Sequence, residues 1–208
     1  MNSSEPINLL DADNLFLENF FQVLGEKKFR SSQVIQWIHK SGVIEFDKMT
    51  NLSKDLRNLL TQKAAIALPN ISQEKYSSDG CIKWLIKLND DNLIETVYIP
   101  EANRGTLCIS SQAGCQLNCT FCATAQQGFS RQLKTSEIIG QLWLATKRLK
   151  ALKKNDRVIT NVVLMGMGEP LLNLPNVIPT IRLLLDNNAY NLSRRRVTIS
   201  TAGVVPGI

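Results

Sequence analysis

Three cysteines stand close together in the stretch Cys115-Gln116-Leu117-Asn118-Cys119-Thr120-Phe121-Cys122, where they follow the spacing CxxxCxxC. The stretch lies in a loop that follows a predicted strand over residues 106–110. Three thiolates can hold three irons of a cubane iron–sulfur cluster and leave the fourth iron open to an exchangeable ligand. The stretch therefore indicates an iron–sulfur site at the end of a strand, and the segments around it decide the fold class.

Strands and helices alternate after this first strand. The pattern predicts a helix over 136–152, a strand over 159–165, a helix over 176–186 and a strand over 196–200. Strands separated by helices are typical of βαβ units with a parallel sheet. Three such strands amount to half of a barrel-like sheet, and the chain stops directly after the third, so we expect a truncated α/β fold.

The segments before the cysteine loop have a different pattern. Apolar residues recur at helical spacing in three segments, which predict three helices. The first covers 13–24, the second begins at a cap of Ser31 or Ser32 and ends at Gly42, and the third covers 53–65. Strand patterns separated by turns follow over 70–76, 81–88 and 93–99, as in an antiparallel meander. The predicted organisation is a helical unit over 1–69, an antiparallel β extension over 70–100 and an α/β part over 101–208.

Composition favours a soluble protein with a polyanionic partner. The 208 residues are 44% hydrophobic and 20% charged, with a net charge of +6. The basic residues cluster at Lys147, Arg148, Lys150, Lys153, Lys154 and Arg157, and again at Arg194, Arg195 and Arg196. The first cluster is also typical of a solvated helix face. Without a signal sequence or long apolar run, we expect a cytoplasmic protein with no membrane anchor, whose five cysteines are ligands, catalysts or free thiols.

A structural zinc site is the alternative for the cysteine loop. Cys108 or Cys81 would then supply a fourth thiolate. Zinc modules usually pair two CxxC knuckles, and the sequence has no second knuckle. Its one histidine, His39, lies in a distant predicted helix, so an iron–sulfur cluster is favoured over zinc.

Gly168-Glu169-Pro170 follows an apolar predicted strand. It therefore lies at the carboxyl end of the sheet, where parallel sheets bind ligands. The glycine permits close backbone approach, and the carboxylate of Glu169 can accept hydrogen bonds from an ammonium group. A loop turn with a helix cap explains the same residues without a ligand.

Glu95 alternates with Leu93, Val97 and Ile99 on one face of a predicted strand. A carboxylate among apolar neighbours is desolvated, which favours its protonated form and suits a general base. The alternative is an edge-strand glutamate that reaches solvent. Cys108 has the ordinary interpretation of a small buried thiol, and Cys81 that of a core residue.

The cysteine motif, with an aromatic residue before its last cysteine, resembles the signature of the radical S-adenosylmethionine (SAM) superfamily. The surrounding residues resemble more closely the bacterial RlmN family of dual-specificity RNA methyltransferases. The likeness runs from about residue 7 to residue 208. It is carried by Thr106, Cys108 to Gln112, Ala123 to Phe129, Val163 to Pro170 and Arg195 to Thr201, with Gly25 to Arg30 and Ser77 to Gly80.

The resemblance implies a partial (βα)6-type radical SAM barrel, here truncated after about three strands, and a role for each candidate residue. Cys115, Cys119 and Cys122 match the ligands of a 4Fe–4S cluster, and Gly168, Glu169 and Ser200 match residues that contact SAM. Glu95 matches the base that removes a proton from the adenine carbon. Cys108 matches a cysteine that forms a transient disulfide with a methyl-carrying cysteine near the family's C-terminus. No cysteine follows Cys122 in this sequence, so we expect this polypeptide alone not to turn over.

The implied reaction methylates C2 of adenine in 23S ribosomal RNA and in tRNA, through a methyl-cysteine intermediate. The implied partners are those RNAs and a one-electron reductant such as flavodoxin, with the protein a monomer. Lys27, Lys28 and Arg30 are candidates for RNA phosphate contacts, and Arg194 to Arg196 are candidates for such contacts beside the active site. A C8-specific relative and a non-catalytic RNA-binding fragment remain as alternatives.

Overall fold

The computed structural model describes residues 6–117, 119–152 and 158–207. Its first part contains a short strand β1 (Ile7–Asn8), helices α1 (Asn14–Val23), α2 (Arg30–Ile35) and α3 (Lys54–Lys63), and a short strand β2 (Ala64–Ala65) that pairs with β1. The three helices thus lie where the apolar periodicity predicts them. Their buried side chains, among them Phe21, Ile35 and Leu60, join one hydrophobic core.

Side-chain caps set the starts of α1 and α3 but not of α2. Asp13 Oδ1 accepts the N–H of Phe16, and Ser53 Oγ accepts the N–H of Leu56. The predicted cap of the second helix is wrong, because Ser31 lies inside α2 and its hydroxyl donates to the carbonyl of Lys28 at 2.8 Å. Helix α2 continues into one π-helical turn (Gln36–Lys40) before Gly42 ends it at φ +67°.

One sheet of six strands carries the rest of the chain. Strands β3 (Asn70–Tyr76), β4 (Ile82–Lys87) and β5 (Leu93–Pro100) form the predicted antiparallel meander. Strand β5 pairs antiparallel with β6 (Gly105–Cys108), which pairs parallel with β9 (Asn161–Leu164), and β9 pairs parallel with β10 (Val197–Ile199). The spatial order is therefore β10-β9-β6-β5-β4-β3, and strands from both sides of residue 100 share one sheet.

The two faces of this sheet have different surroundings. Apolar side chains of one face, such as Trp84, Ile94 and Leu107, pack in the same core as α5 (Thr135–Leu152) and α6 (Leu174–Leu185). The opposite face carries the alternate residues of each strand, which are only partly buried or exposed. The sheet is therefore covered by helices on one side and open on the other.

The helical unit is fastened to the α/β part by polar contacts as well as by the core. Asp11 Oδ1 accepts the N–H of Ser136 at 2.7 Å, in the first turn of α5. Trp143 Nε1 donates to the carbonyl of Ile38 at 2.8 Å, inside the π-helical turn. These contacts hold α5 against the helical unit at two points along its length.

No helix in the described parts of the chain is both long and apolar enough to cross a membrane.

Candidate functional site

A two-stranded ribbon holds the base of the cysteine loop. Strands β7 (Gln112–Gly114) and β8 (Phe129–Gln132) pair antiparallel, where the sequence pattern predicts only loop. Gly114 has φ +77°, and a Cβ there would lie 1.9 Å from the carbonyl oxygen of Gly128. The N–H of Cys115 donates to that same oxygen at 3.1 Å. Only glycine fits at residue 114, and the two ends of the loop are held side by side.

The last two cysteines lie at the start of the short helix α4 (Ala123–Gln126). The N–H of Cys122 donates to the carbonyl of Cys119 at 3.1 Å, and Cys122 is the residue that precedes α4. Hydrogen bonds from the backbone N–H groups of Ala125 and then Thr124 lower the pKa of the Cys122 thiol. A helix N-terminus stabilises a thiolate in this way, and thiolate is the form that binds metal. Phe121 between them is 90% exposed.

The three thiols lie on one loop without forming a preassembled metal site. Among the described residues, no three His, Cys, Asp or Glu side chains are grouped closely enough to hold a metal ion. The donor set fits an iron–sulfur cluster in kind, with three partly buried thiols on one loop and a thiolate-stabilising helix start. The assignment of Cys115, Cys119 and Cys122 as ligands stays a prediction.

Neither Cys81 nor Cys108 joins these three thiols in a closed zinc site. Cys81 is half-buried at the β3–β4 turn, where its thiol donates to Asp79 Oδ2 at 3.3 Å. Its predicted place in the core is therefore wrong, because the turn lies outside the covered face of the sheet. Cys108 lies on β6, and its burial raises the pKa of its thiol.

Gly168 and Glu169 follow β9 and face the base of the cysteine loop. Gly168 has φ +100°, and a Cβ there would lie 2.5 Å from the Cβ of Gln112. Glu169 is buried, with Oε1 accepting the N–H of Leu171 at 3.0 Å and Oε2 accepting the N–H of Ala202 at 2.8 Å. The carboxylate thus caps a short helical turn, as the simpler interpretation predicts. It also ties the segment after β9 to the segment after β10 that begins with Ser200.

Gln112 joins the two loops through one buried amide. Its Oε1 accepts the N–H of Gln116 at 3.2 Å and the N–H of Glu169 at 2.9 Å. Its Nε2 donates to Gln132 Oε1 at 3.0 Å, across the β7–β8 ribbon. The sequence-based search for chemistry-bearing residues overlooked this glutamine, although it stands inside a stretch that carries the family resemblance.

Two further buried amides, also overlooked, hold the segment that leads into the loop. Gln141 on α5 accepts hydrogen bonds from the Thr96 hydroxyl and the Ser110 N–H, and donates to the Ser110 carbonyl. Asn173 Nδ2 donates to the carbonyls of Ser111 and Leu133 at 2.7 and 2.8 Å. The sequence did offer a signal for these two residues. Gln141 and Asn173 each have apolar neighbours in the sequence, and those neighbours indicate that the amide side chain faces the core.

Glu95 and Cys108 lie on the open face of the sheet. Val97 is directly opposite Cys108 in the β5–β6 register, and Ser110 Oγ donates to the carbonyl of Glu95 at 2.7 Å. Opposite residues of an antiparallel pair share a face, so Glu95 and Cys108 are neighbours there. Because Ser110 leads into the cysteine loop, Glu95 lies at the same end of the sheet as that loop.

The predicted desolvation of Glu95 is wrong. Its side chain is 43% exposed and forms a 2.7 Å ion pair with Lys83 on β4. Its strand neighbours Leu93 and Ile99 are exposed as well. The reason is that the helices cover the other face of β5, where the side chain of Ile94 is fully buried.

The basic residues that are candidates for RNA contacts lie in two separate places. Arg30 is engaged by Gln33 Oε1 at 2.8 Å and by Glu26, which leaves Lys27 and Lys28 as exposed cations of that loop. Arg194 to Arg196 precede β10, whereas Ser200 follows it. Arg196 Nη1 donates to the carbonyl of Thr160, just before β9, so the arginines lie at the opposite end of β10 from Ser200. Their contact with RNA phosphates stays a prediction. Lys153, Lys154 and Arg157 lie outside the described residues.

A crevice of about 300 Å³ lies at the opposite end of the sheet, next to the residues that precede β9. It marks the junction between the helical unit and the α/β part. His39 Nδ1 lies 3.2 Å from the Tyr190 hydroxyl there, and burial lowers the pKa of His39 to about 3. The one histidine of the chain is therefore a neutral interface residue, remote from the cysteines.

Comparisons with known proteins agree with this geometry. Residues 7–66 match the family model of the ribosomal RNA large subunit methyltransferase N-terminal domain, and residues 109–207 match that of the radical SAM superfamily. The dual-specificity RNA methyltransferase RlmN of Marinobacter nauticus is 51% identical over 206 residues, which cover 99% of this chain and 56% of that protein.

A solved structure gives the same result for the fold. The crystal structure of a radical SAM methyltransferase from Sphaerobacter thermophilus superimposes with a TM-score of 0.85 at 34% identity, over 97% of this chain and 58% of that one. The chain thus spans a little over half the length of these relatives. The predicted α/β radical SAM fold class is confirmed, and the chain is similar to the RlmN family of the radical SAM superfamily along nearly its whole length.

Proposed function

We propose that the chain is part of a SAM-dependent radical enzyme that methylates C2 of adenine in RNA. The proposed substrates are an adenosine in the peptidyl-transferase centre of 23S ribosomal RNA and the adenosine next to the anticodon in tRNA. One observation carries the proposal. The cysteine loop meets the Gly168–Glu169 segment at the end of the sheet where Glu95 lies on the open face.

The chemistry of the target atom favours a radical reaction. C2 of adenine lies between two ring nitrogens, so it is electron-poor and a weak nucleophile for direct methyl transfer. When bound, a 4Fe–4S cluster and SAM supply a carbon radical after one-electron reduction. Cys115, Cys119 and Cys122 would hold the cluster, and Gly168, Glu169 and Ser200 would contact SAM.

The residues on the open face handle the proton and the product. Glu95 would accept the C2 proton at a carboxylate oxygen, because its side chain is solvent-accessible and Lys83 holds it at 2.7 Å. Cys108 would form a disulfide with the methyl-carrying cysteine. The S–S bond would form as the S–C bond to the adenine methylene breaks, and the electron pair of the S–C bond would pass to the product carbon, which takes up a proton. That step needs a second cysteine besides Cys108. Burial raises the pKa of the Cys108 thiol.

The proposal extends to the partners of the chain. Lys27 and Lys28 are exposed in the loop between α1 and α2 and are candidates for RNA phosphate contacts. A one-electron donor protein such as flavodoxin would reduce the cluster. A monomeric, cytoplasmic protein completes the proposal.

Anaerobic iron and sulfide analysis of the reconstituted chain tests the proposal, together with electron paramagnetic resonance (EPR) after reduction. We expect about four irons per chain and a spectrum that changes when SAM is added. Cys119→Ser should lose the cluster, whereas Cys81→Ser, outside the motif, should keep it. Stoichiometric zinc with no iron in a folded sample would contradict the proposal and favour an RNA-binding module.

A further inference from the structure

Arg131 directly follows the cysteine loop, in strand β8, and all its guanidinium nitrogens are engaged. Nε donates to Asp90 Oδ2 at 2.5 Å. Nη1 and Nη2 donate to the two carboxylate oxygens of Glu137 at 2.7 and 2.8 Å, and Nη1 also donates to the carbonyl of Gln132 at 3.0 Å. A paired contact of this kind fixes direction as well as distance, because the planar guanidinium matches the carboxylate.

The two carboxylates belong to segments that are far apart in sequence. Asp90 lies in the turn between β4 and β5, the hairpin that carries Lys83 and Glu95. Glu137 lies in the first turn of α5, where its Oε2 also accepts the N–H of Lys134 at 2.8 Å. The side chain of Arg131 therefore connects β8, at the foot of the cysteine loop, to two other elements. These are the β4–β5 hairpin, which carries Glu95, and helix α5.

Arg131, Asp90 and Glu137 differ in their environment from an ordinary surface ion pair. The side chain of Arg131 is 31% exposed and that of Glu137 is 13% exposed, so water screens the contact only in part. Glu137 and Asp90 raise the pKa of Arg131, and Arg131 holds the pKa of Asp90 well below its usual range. The ion pair between Arg131 and Asp90 therefore favours the charged form of both side chains.

We propose that Arg131 is a positioning residue of the cysteine loop, which sets the place of that loop relative to the hairpin that bears Glu95. The expected effect of Arg131 on the iron–sulfur cluster rests on the proposed function. The opposite side of the loop base is already fixed, because Gln112 and Gln132 bond to the segment that follows β9. Arg131 supplies the constraint on the remaining side. A purely structural ion pair would instead affect global stability and leave the loop unchanged.

The test compares Arg131→Gln with Arg104→Gln. Arg104 forms a 2.6 Å ion pair with Glu101 within one exposed turn, so its loss is a matched control. Hydrogen exchange measures loop opening without any cofactor. In Arg131→Gln, amides of residues 115–128 should exchange about tenfold faster, as loss of a charge-assisted hydrogen bond predicts. In Arg104→Gln they should exchange as in the unmodified chain.

The second measurement concerns the cluster. Reconstituted Arg131→Gln should retain less than about half the iron of the unmodified chain, and its SAM-dependent EPR change should be smaller. Arg131→Lys should not restore either property, because an ammonium cannot bridge both carboxylates in the same geometry. Unchanged exchange over 115–128 in folded Arg131→Gln would overturn the proposal, even if the melting temperature fell.

Two further outcomes can be told apart from a failure of the proposal, namely an unmodified chain that binds no iron and an Arg131→Gln variant that does not fold. If the unmodified chain bound no iron, the proposed function would fail, and exchange alone would still decide the role of Arg131. If Arg131→Gln did not fold, Asp90→Asn would replace it, because this change leaves the contact between Arg131 and Glu137 in place. Besides the ion pair to the hairpin, it removes the hydrogen bond from Asn92 Nδ2 to Asp90 Oδ2 within the turn. Faster exchange over 115–128 in Asp90→Asn supports the proposal, and exchange like that of the unmodified chain contradicts it.

Discussion

Replacement of Gln141 by leucine should destabilise the protein strongly although it keeps the volume of the side chain. Gln141 is fully buried on α5 and satisfies three groups on the sheet, which are the Thr96 hydroxyl, the Ser110 N–H and the Ser110 carbonyl. Thr96 and Ser110 are themselves fully buried, so water cannot replace the lost partners. Each orphaned group costs about 1–3 kcal/mol.

The expected loss for Gln141→Leu is therefore about 3–5 kcal/mol, after allowance for local relaxation. Urea denaturation followed by circular dichroism measures it, and the midpoint should fall by about 1–2 M at an unchanged slope. Gln36→Leu is the control, because Gln36 makes one exposed hydrogen bond to Asn188. It should change the free energy of unfolding by less than about 0.5 kcal/mol.

A second substitution isolates the cause. Thr96→Val removes the orphaned hydroxyl that Gln141→Leu creates, so the double variant should lose less stability than the sum of the two single variants. The coupling should be about 1–2 kcal/mol. A loss below about 1 kcal/mol for Gln141→Leu, or strict additivity in the double variant, would refute the view that this amide holds Ser110 and the entry to the cysteine loop.

Three other changes have defined outcomes. Gly168→Ala should lower the free energy of unfolding in urea by about 2–4 kcal/mol, because its Cβ would collide with Gln112. Gly203→Ala has a similar φ and no atom within 4 Å, so it should lose only the backbone strain of about 1–2 kcal/mol. Equal losses for the two variants would contradict the collision. Because burial lowers the pKa of His39 to about 3 whereas an unfolded chain protonates near 6.5, the unfolded state binds the extra proton and stability should fall by about 1.4 kcal/mol per pH unit below about pH 6. His39→Gln should reduce that slope in urea titrations at pH 4–6, and an unchanged slope would exclude the histidine as its source. Lys83→Met should change the free energy of unfolding by less than about 1 kcal/mol, since both partners of its ion pair are nearly half exposed; a larger change would show a contact beyond this pair.

Sequence patterns predicted the elements of this chain well and the surroundings of its residues less well. The βαβ alternation indicated an α/β fold with a parallel sheet, because it depends on local periodicity, and the resemblance of the cysteine motif implied the radical SAM fold. Alternation along β5 also correctly placed Glu95 and Val97 on one face. Alternation could not show which face of the sheet the helices cover, because the covered face depends on how α5 and α6 pack in the connections between the parallel strands. The expected desolvation of Glu95 failed for this reason.

The overlooked residues have a common physical character. Gln112, Gln141 and Asn173 are buried amides that bond mainly to backbone groups distant in sequence. Their role depends on long-range geometry, which has no periodic signature. The ribbon of β7 and β8 was missed because strands of three and four residues are too short to show alternation.

Ser110 shows how the sheet brings the candidate residues into one arrangement. Its N–H and carbonyl bond to Gln141, its hydroxyl donates to the carbonyl of Glu95, and the same hydroxyl accepts the N–H of Met167 at 2.9 Å. The strand of the proposed base, the segment before Gly168 and the entry to the cysteine loop therefore meet at one buried serine. Because Gln112 and Arg131 hold the base of that loop from opposite sides, a shift of the loop alone would break charged or fully buried contacts. The geometry of the candidate site is thus a property of the sheet and its ribbon, whose residues hold the cysteine loop in place.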